Sequence, residues 1–253
     1  MRETNETTMN GQQHAAFEWT AKSRFAIYYA PSRQSSWWEA GCRWLERDPE
    51  SGTKHAAPVI PALTARALDV PSLSRAPQRY GWHGTLVAPA HCAAGAAPDE
   101  IVSRAQAWAR RQRPFDLAVE AAALDRFVAI RPATADGAAA MQALSADALH
   151  EFAPLRAMPS EADRRRRLEA NLSARQRELL DRWGYPYVLE EFRFHMTLSD
   201  SIESADRQVL LDWWSTQVSA LGALPIDCAA LFIEPEPGQP FVLAARLPFG
   251  DAQ

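Results

Sequence analysis

Apolar and polar residues alternate strictly from Phe192 to Leu198. Successive side chains of a β-strand point to opposite faces, so this stretch predicts a strand with two unlike faces. One face is apolar throughout and suits a protein core. The other carries Arg193, His195 and Thr197, which place a guanidinium, an imidazole and a hydroxyl in a row. A core does not require such groups, so the pattern predicts a strand that buries one face and presents the other for chemistry.

The pattern His-x-Thr-Leu in this strand also occurs earlier in the chain. The two copies are His83–Leu86 (His-Gly-Thr-Leu) and His195–Leu198 (His-Met-Thr-Leu). A strand is predicted over 81–87, and the alternation places Arg79, His83 and Thr85 on the same side of it. A single His-x-Thr on a strand is usually a half-exposed sheet position, so the repetition matters only if the surroundings repeat as well.

Hydrophobic periodicity and turn residues predict the remaining elements. Further strands are expected at 25–30, 115–121, 126–131, 228–234 and 241–247. Helices are expected after Pro98, over 138–149, after the second histidine strand, and after caps at Ser36, Ser160 and Ser173, with Gly184 as a helix end. The segment 47–77 contains five prolines and little periodicity, so it is predicted to be a long loop.

The order of these elements repeats along the chain. Strand, helix, histidine strand, helix and hairpin follow one another twice, and the strand after each histidine unit begins 32 residues after the histidine, at 115 and 227. Because the local patterns and their spacing agree, the two repeats are expected to share one structure. We therefore predict an α+β fold of two antiparallel-sheet lobes with helices outside, related by a pseudo-twofold axis, with the histidines facing each other across a central cleft. The predicted division is a flexible N-terminal arm at 1–22 and one bilobal domain at 23–253, with repeat halves of about 23–126 and 127–253.

Composition indicates a cytoplasmic protein that acts on a small molecule. The 253 residues carry a net charge of -4, whereas proteins that grip long nucleic acid are more often basic, so long nucleic acid is an unlikely partner. No apolar run approaches the roughly 20 residues that span a bilayer, and the first twenty residues lack the apolar core of a secretory signal. Membrane association is therefore not expected. Three widely spaced cysteines fit reduced thiols better than a disulfide framework.

The residues around both motifs resemble the 2H phosphoesterase superfamily, which is named for its two His-x-Thr/Ser motifs. The resemblance is closest to the branch associated with bacterial phosphonate metabolism. It is carried by 79–86 (Arg-Tyr-Gly-Trp-His-Gly-Thr-Leu), 154–156 (Pro-Leu-Arg), 183–187 (Trp-Gly-Tyr-Pro-Tyr) and 191–198, which contains the second motif. Over nearly all of 24–249, this resemblance implies a bilobal α+β fold and metal-independent chemistry on phosphodiesters, often cyclic ones.

The two motifs contain the groups that this chemistry requires. Opening a phosphodiester needs a base that deprotonates water or a hydroxyl and an acid that protonates the leaving oxygen. Histidine has the side-chain pKa closest to neutrality, so His83 and His195 can supply both. The hydroxyls of Thr85 and Thr197, two residues further on the same faces, can hydrogen-bond the non-bridging oxygens.

Other side chains near the motifs are candidates for binding the substrate. Arg193, with Arg79 or Arg156, can neutralise charge on the phosphoryl group, although a structural ion pair is an equal alternative for the last two. Tyr28 and Tyr187 can stack on a base or sugar, with an aromatic core position as the alternative. The four arginines at 164–167 are interpreted as a solvated helix face.

No metal and no cofactor are expected, because each motif offers one imidazole without the further ligands that a metal site needs. The surplus of arginines near the motifs suggests a second phosphate on the substrate, and the resemblance makes a phosphorylated ribose cyclic phosphate a natural intermediate. Two alternatives stay open. One is the processing of RNA ends or nucleotide 2′,3′-cyclic phosphates, and the other is a nucleotide- or RNA-binding module without turnover.

Overall fold

Nine strands form three antiparallel sheets within residues 19–250, the part of the chain that the computed structural model describes. The strands are, in chain order, β1 (Arg24–Tyr29), β2 (Gly84–His91), β3 (Phe115–Leu117), β4 (Val119–Leu124), β5 (Phe127–Pro132), β6 (Met196–Thr197), β7 (Leu224–Ile226), β8 (Cys228–Glu234) and β9 (Val242–Pro248). One sheet has the order β2-β1-β8-β9, a second has the order β4-β5-β6, and β3 pairs with β7. The protein is therefore α+β with antiparallel sheets, as predicted.

Nine α-helices accompany the sheets in the same part of the chain. They are α1 (Ser36–Trp44), α2 (Pro61–Thr64), α3 (Val70–Leu73), α4 (Arg75–Tyr80), α5 (Pro98–Arg110), α6 (Ala135–Phe152), α7 (Glu161–Leu168), α8 (Ala174–Trp183) and α9 (Ser204–Leu221). Short 3-10 turns follow at Ala153–Leu155 and Leu189–Glu191. Helix α6 packs on β2, α5 on β8 and β9, and α9 on β4 and β5. None of these helices is long and apolar enough to cross a membrane.

Helix ends follow local side-chain chemistry. The side chains of Ser160 and Ser173 accept hydrogen bonds from backbone amides in the first turns of α7 and α8, as predicted. Helix α8 ends at Gly184, whose φ of 73° is easily adopted only by glycine. The cap of α1 is Ser35 and not Ser36, because the Ser35 side chain accepts the hydrogen bond and Ser36 is already helical.

The prediction of a continuous loop over 47–77 is wrong. This segment contains α2, α3 and the beginning of α4. Pro61 and Pro71 stand in the first turns of α2 and α3, where the missing amide hydrogen costs nothing. Helices of four residues are too short for a 3.6-residue period to be visible, so the proline count alone suggested a loop.

The strands that carry the two motifs differ in length from the predictions. Strand β2 begins at Gly84, one residue after His83, and runs to His91. Of the predicted strand at 192–198, only Met196–Thr197 pairs with β5. Its alternation nevertheless holds, because its four apolar side chains are all buried. The predicted strand at 115–121 is divided into β3 and β4, which pair with different partners.

The two larger sheets share one strand order. The motif strand β2 pairs with β1, and β1 pairs on its other side with β8. The motif strand β6 pairs with β5, and β5 pairs on its other side with β4. Both sheets thus have the order motif strand, central strand, third strand. The third strand β8 comes from near the far end of the chain, whereas β4 forms a hairpin with the central strand β5.

A tryptophan cluster lies behind both motifs. The rings of Trp82 and Trp214 stack at 5.5 Å, and Trp44 meets Trp214 edge-on at 5.2 Å. All three are essentially inaccessible to solvent. Trp82 precedes His83 directly, and the indole nitrogen of Trp44 donates to the carbonyl of Leu198 at 2.8 Å. One cluster therefore anchors both motif strands.

Of the predicted N-terminal arm at 1–22, all but 19–22 lies outside the described residues.

Candidate active site

His83 is held in a fixed orientation at the start of β2. Its Nδ1 lies 2.8 Å from the carbonyl oxygen of Gly81, which can only accept a hydrogen bond, so Nδ1 carries the hydrogen. The ring stacks on Tyr28 with centroids 4.0 Å apart. Its free nitrogen, Nε2, lies 3.4 Å from the hydroxyl oxygen of Thr85. His83 therefore offers Nε2 as the atom that exchanges a proton.

His195 repeats this arrangement in the second motif. Its Nδ1 lies 2.8 Å from the carbonyl oxygen of Arg193, two residues earlier, at the same distance as in the first motif. The ring of Phe127 packs against the imidazole with centroids 5.8 Å apart. Both imidazoles thus donate from Nδ1 to the carbonyl two residues before them and keep Nε2 free. A hydrogen bond at Nδ1 is the usual device that fixes the tautomer of a functional histidine.

Burial favours the neutral form of both imidazoles. Burial and, to a smaller extent, the charge of His195 lower the pKa of His83 from 6.5 to about 4, against the opposing hydrogen bond to Gly81. Burial also lowers the pKa of His195, against the opposing hydrogen bond to Arg193.

The two motifs are in direct contact through Gly84. A Cβ atom at position 84 would overlap the ring of Phe194 and approach the side chain of Met196. Phe194 also meets Tyr29 of the central strand β1 edge-on, with centroids 6.0 Å apart. Glycine between the first histidine and threonine therefore allows the two motif strands to approach closely.

A cavity of about 500 Å³ opens between the motifs, and we call it the histidine cavity. His83, Thr85 and Thr197 line it, as does Tyr28 beneath His83. His195 is not among its lining residues. Two threonines and one of the two motif histidines therefore line this cavity.

Two arginines line the histidine cavity, and neither is among the sequence-predicted site residues. Arg24, at the start of β1, donates to the carboxylate of Glu234, which is inaccessible to solvent. Arg167, on α7, lies over the ring of Tyr185 at 5.0 Å. The alternation of β1 was a signal for Arg24, because this residue shares a face with Tyr28. No local signal separates Arg167 from its neighbours in the run 164–167.

A second depression adjoins the histidine cavity, and we call it the arginine groove. It has a volume of about 610 Å³ and contains both Arg79 and Arg156. Arg79 shares the carboxylate of Glu234 with Arg24, so it is chiefly a structural ion pair. Burial opposes the charge of Glu234, but the hydrogen bonds from Arg24 and the Gly238 amide lower the pKa of this carboxyl below its usual value.

Two of the predicted substrate contacts are not brought to either depression. Arg193 is exposed and donates to the backbone carbonyls of Glu190 and Phe192. Tyr187 is 42% exposed and packs edge-on against Tyr185. Arg193 shares strand parity with His195, but the chain at 192–195 is not paired in a sheet, so parity does not determine where this long side chain points.

Within the described residues, no group of three or more His, Cys, Asp or Glu side chains is arranged to hold a metal ion.

Comparison with known proteins gives a family and two curated relatives. Residues 85–242 match the model of the family described as "Protein of unknown function (DUF1045)", which begins inside the first motif and contains the whole second motif. A protein of Laribacter hongkongensis (strain HLHK9) named ribose 1,5-bisphosphate phosphokinase PhnN is 37% identical over 228 residues, which are 87% of this chain and 50% of that protein. A protein of the same name from Janthinobacterium sp. (strain Marseille) is 35% identical over 237 residues, 90% of this chain and 51% of that protein. The chain spans about half the length of these curated relatives.

Proposed function

We propose a function for this chain, which belongs to the DUF1045 family, from the geometry of its paired histidines: it is a metal-independent phosphodiesterase that hydrolyses a small cyclic phosphodiester. The observation that carries the proposal is the shared geometry of His83 and His195. Each imidazole donates from Nδ1 to the carbonyl two residues earlier at 2.8 Å. Each is followed by a threonine that lines the same cavity. Such duplication fits an acid and a base acting on opposite sides of one phosphorus atom.

The proposed step is hydrolysis with two proton transfers. Neutral His83 accepts a proton from water at Nε2 while the water oxygen forms a bond to phosphorus. The bond between phosphorus and one ester oxygen breaks, and protonated His195 donates its Nε2 proton to that oxygen. The product is a phosphomonoester with one free hydroxyl, and a proton exchange with solvent restores both histidines.

The other residues of the cavity stabilise charge during this step. The hydroxyls of Thr85 and Thr197 donate hydrogen bonds to the non-bridging oxygens. Arg24 and Arg167 supply positive charge from the rim, where negative charge builds up in the transition state. The stacked ring of Tyr28 keeps His83 in the plane that its Nδ1 bond requires.

The arrangement of the sheets supports a 2H phosphoesterase-like architecture. Both sheets place the motif strand at an edge, next to a central strand and then a third strand. The threonines occupy equivalent positions, since Thr85 pairs with Tyr28 and Thr197 pairs with Ala129. We infer a pseudo-twofold relation between these two units, with the cleft between them.

The names of the curated relatives favour a phosphorylated ribose as the substrate class. Ribose 1,5-bisphosphate carries two phosphates on one sugar, and the resemblance to the phosphonate-associated branch implies the same type of molecule. We infer that this chain acts on a phosphorylated ribose cyclic phosphate in phosphonate catabolism. A phosphokinase commonly binds its nucleotide through Gly-x-x-x-x-Gly-Lys-Ser/Thr, and this sequence contains no Gly-Lys pair. We infer that the kinase activity in the relatives' name belongs to the part that this chain does not match.

Turnover of cyclic phosphodiesters by paired histidine variants tests the proposed function. His83→Ala and His195→Ala should each lower the rate at least about 10²-fold, the scale of acid–base catalysis. EDTA should leave the rate unchanged. The matched control is His150→Ala, because His150 is exposed and lines neither depression. Activity that survives both substitutions, or that is lost in EDTA and restored by zinc, would remove the proposal.

A further inference from the structure

We propose that the arginine groove is a second anion subsite, which holds a phosphomonoester group of the substrate whose phosphodiester lies at the two histidines. This inference rests on the proposed function and deepens it. The two depressions adjoin each other, since Arg24, Tyr80, Pro89 and Arg167 line both. A small substrate with one phosphate in each depression would therefore lie across these shared residues.

The groove carries more positive charge than its own carboxylates neutralise. Its five arginines are Arg24, Arg79, Arg156, Arg166 and Arg167. The carboxylates against them are Asp163, which pairs with Arg166 at 2.6 Å, and Glu234, which is shared by Arg24 and Arg79. Five cations and two anions leave a formal charge of +3. A phosphomonoester carries about -1.5 to -2 at neutral pH and therefore matches this excess.

Arg156 and Arg167 account for most of the excess, because neither forms a salt bridge among the described residues. Among the described residues, the Arg156 side chain donates one hydrogen bond, to the carbonyl of Trp183 at 3.3 Å. Within the same part of the chain, the Nε atoms of both arginines are buried without a hydrogen-bond partner. Buried polar donors are normally paired, so these two donors point to an anion that completes them.

Burial makes the charge of Arg156 costly without a bound anion. Burial and, to a smaller extent, the charge of Arg167 lower the pKa of Arg156 to about 10. Two backbone hydrogen bonds beside Arg156 nevertheless fix its position in the fold. The amide of Ala93 donates to the carbonyl of Leu155 at 2.8 Å, and the amide of Ala157 donates to the carbonyl of His91 at 2.9 Å. These two bonds attach the segment with Arg156 to the end of the motif strand β2, which fixes its place relative to His83.

The planar guanidinium donors of Arg156 and Arg167 suit phosphate oxygens, to which arginine binds with two parallel hydrogen bonds. Arg167 also stacks on Tyr185, which lines the histidine cavity, so it connects the two subsites directly. The substrate class that this geometry selects is a small cyclic phosphodiester with a second, terminal phosphate. An RNA end without a terminal phosphate would leave the groove unfilled.

A comparison of two substrates tests the subsite. A ribose cyclic phosphate with a phosphate at position 5 should have a kcat/KM at least about tenfold above that of the analogue without it. Arg156→Gln and Arg167→Gln should each reduce this ratio about tenfold or more, towards one. Arg165→Gln is the matched control, because Arg165 lies on the same helix, is exposed and lines neither depression. It should leave the ratio unchanged.

A binding experiment separates failure of the subsite from failure of the proposed function. In a protein with His83→Ala and His195→Ala, inorganic phosphate should still bind by calorimetry, and the addition of Arg156→Gln should weaken this binding at least about tenfold. Arg156 lines the arginine groove and not the histidine cavity, so its variant reports on the groove alone, and circular dichroism checks that it folds. Phosphate binding that is unchanged by Arg156→Gln, or a wild-type substrate ratio near one, overturns the subsite even if turnover is observed. Absence of turnover with intact, Arg156-dependent phosphate binding overturns only the proposed function.

Discussion

His83 and His195 share one hydrogen-bonding pattern but differ in how strongly burial acts on them. The pKa of His83 is lowered to about 4, so this residue is neutral over most of the accessible pH range and suits the base. Burial also lowers the pKa of His195, against the opposing hydrogen bond to Arg193, and we assign His195 the role of the acid. An anionic phosphate beside the imidazolium would favour the charged form that an acid needs.

These shifts predict an acidic optimum for kcat/KM. Activity should rise with pH as His83 loses its proton near pH 4, and fall as His195 loses its proton below 6.5. A bell with its maximum between these values is expected, and its two apparent pKa values belong to the pair. The measurement is kcat/KM for a cyclic phosphodiester without a second phosphate, so that the substrate does not titrate. A maximum above pH 7 would contradict the assignment.

At the residue scale, the sequence pattern identified part of the lining of the histidine cavity. The repeated His-x-Thr pattern singled out His83, Thr85 and Thr197, which line the cavity, because a strand face is determined by the local sequence. The catalytic roles of these residues and of His195 stay predictions. The same reasoning could have identified Arg24, since it lies on the strand face of Tyr28. It could not have identified Arg167, because whether one arginine of a run lines a cavity depends on how helix α7 packs against distant parts of the chain.

At the scale of elements, the contact between the motif strands depends on a missing side chain. Gly84 lies against Phe194, and Phe194 is only 4% exposed, so the ring has little room to move away. The Trp44 indole fixes the second motif strand from behind through the carbonyl of Leu198. The spacer in the first motif therefore determines how closely the two motif strands can approach.

Gly84→Ala is expected to push the motif strands apart. Overpacking of this kind costs about 1–3 kcal/mol of stability, and a displacement of about 1 Å at a reacting group can cost about 10²-fold in rate. Thermal unfolding and kcat would measure the two effects. Adding Phe194→Leu, which frees space beside the new methyl group, should restore part of both. A Gly84→Ala protein with wild-type kcat would show that the contact does not position the histidines.

Elements with a strong local signal were predicted well, and elements fixed by tertiary contacts were not. The final hairpin was expected at 228–234 and 241–247, and β8 and β9 follow within one residue. The second histidine strand was predicted too long, because only Met196–Thr197 of the stretch 192–198 has a neighbouring strand to pair with. Pairing partners depend on the whole fold, which the alternation of a single stretch does not contain.

At the scale of the whole molecule, one hydrophobic core joins the two larger sheets. The four-stranded sheet takes β1 and β2 from one end of the sequence and β8 and β9 from the other. The three-stranded sheet takes the hairpin of β4 and β5, and β6, from the part of the sequence between them. Buried side chains of both sheets, among them Leu231 and Ile130, belong to the same core cluster, so the two sheets should unfold together.

Leu231→Ala tests this coupling. Leu231 is fully buried in β8 of the four-stranded sheet, and the substitution should cost about 2–5 kcal/mol. Because unfolding is expected to be one transition, amides of β5 in the other sheet should lose the same free energy of protection as amides of β1. Hydrogen exchange at equilibrium measures both. Loss confined to β1 would show two units that open separately.

The segment between Ala153 and Gly184 has a consequence for how proteins of this kind diversify. It supplies Arg156 and Arg167, yet it lies in sequence between the two histidine motifs and outside the strands that hold them. The two groove arginines without a salt bridge among the described residues are therefore encoded apart from the histidine motifs. We expect that exchange of this one stretch between relatives would change the substrate preference and leave the proposed reaction unchanged. Substrate preference could therefore evolve, or be engineered, in this segment.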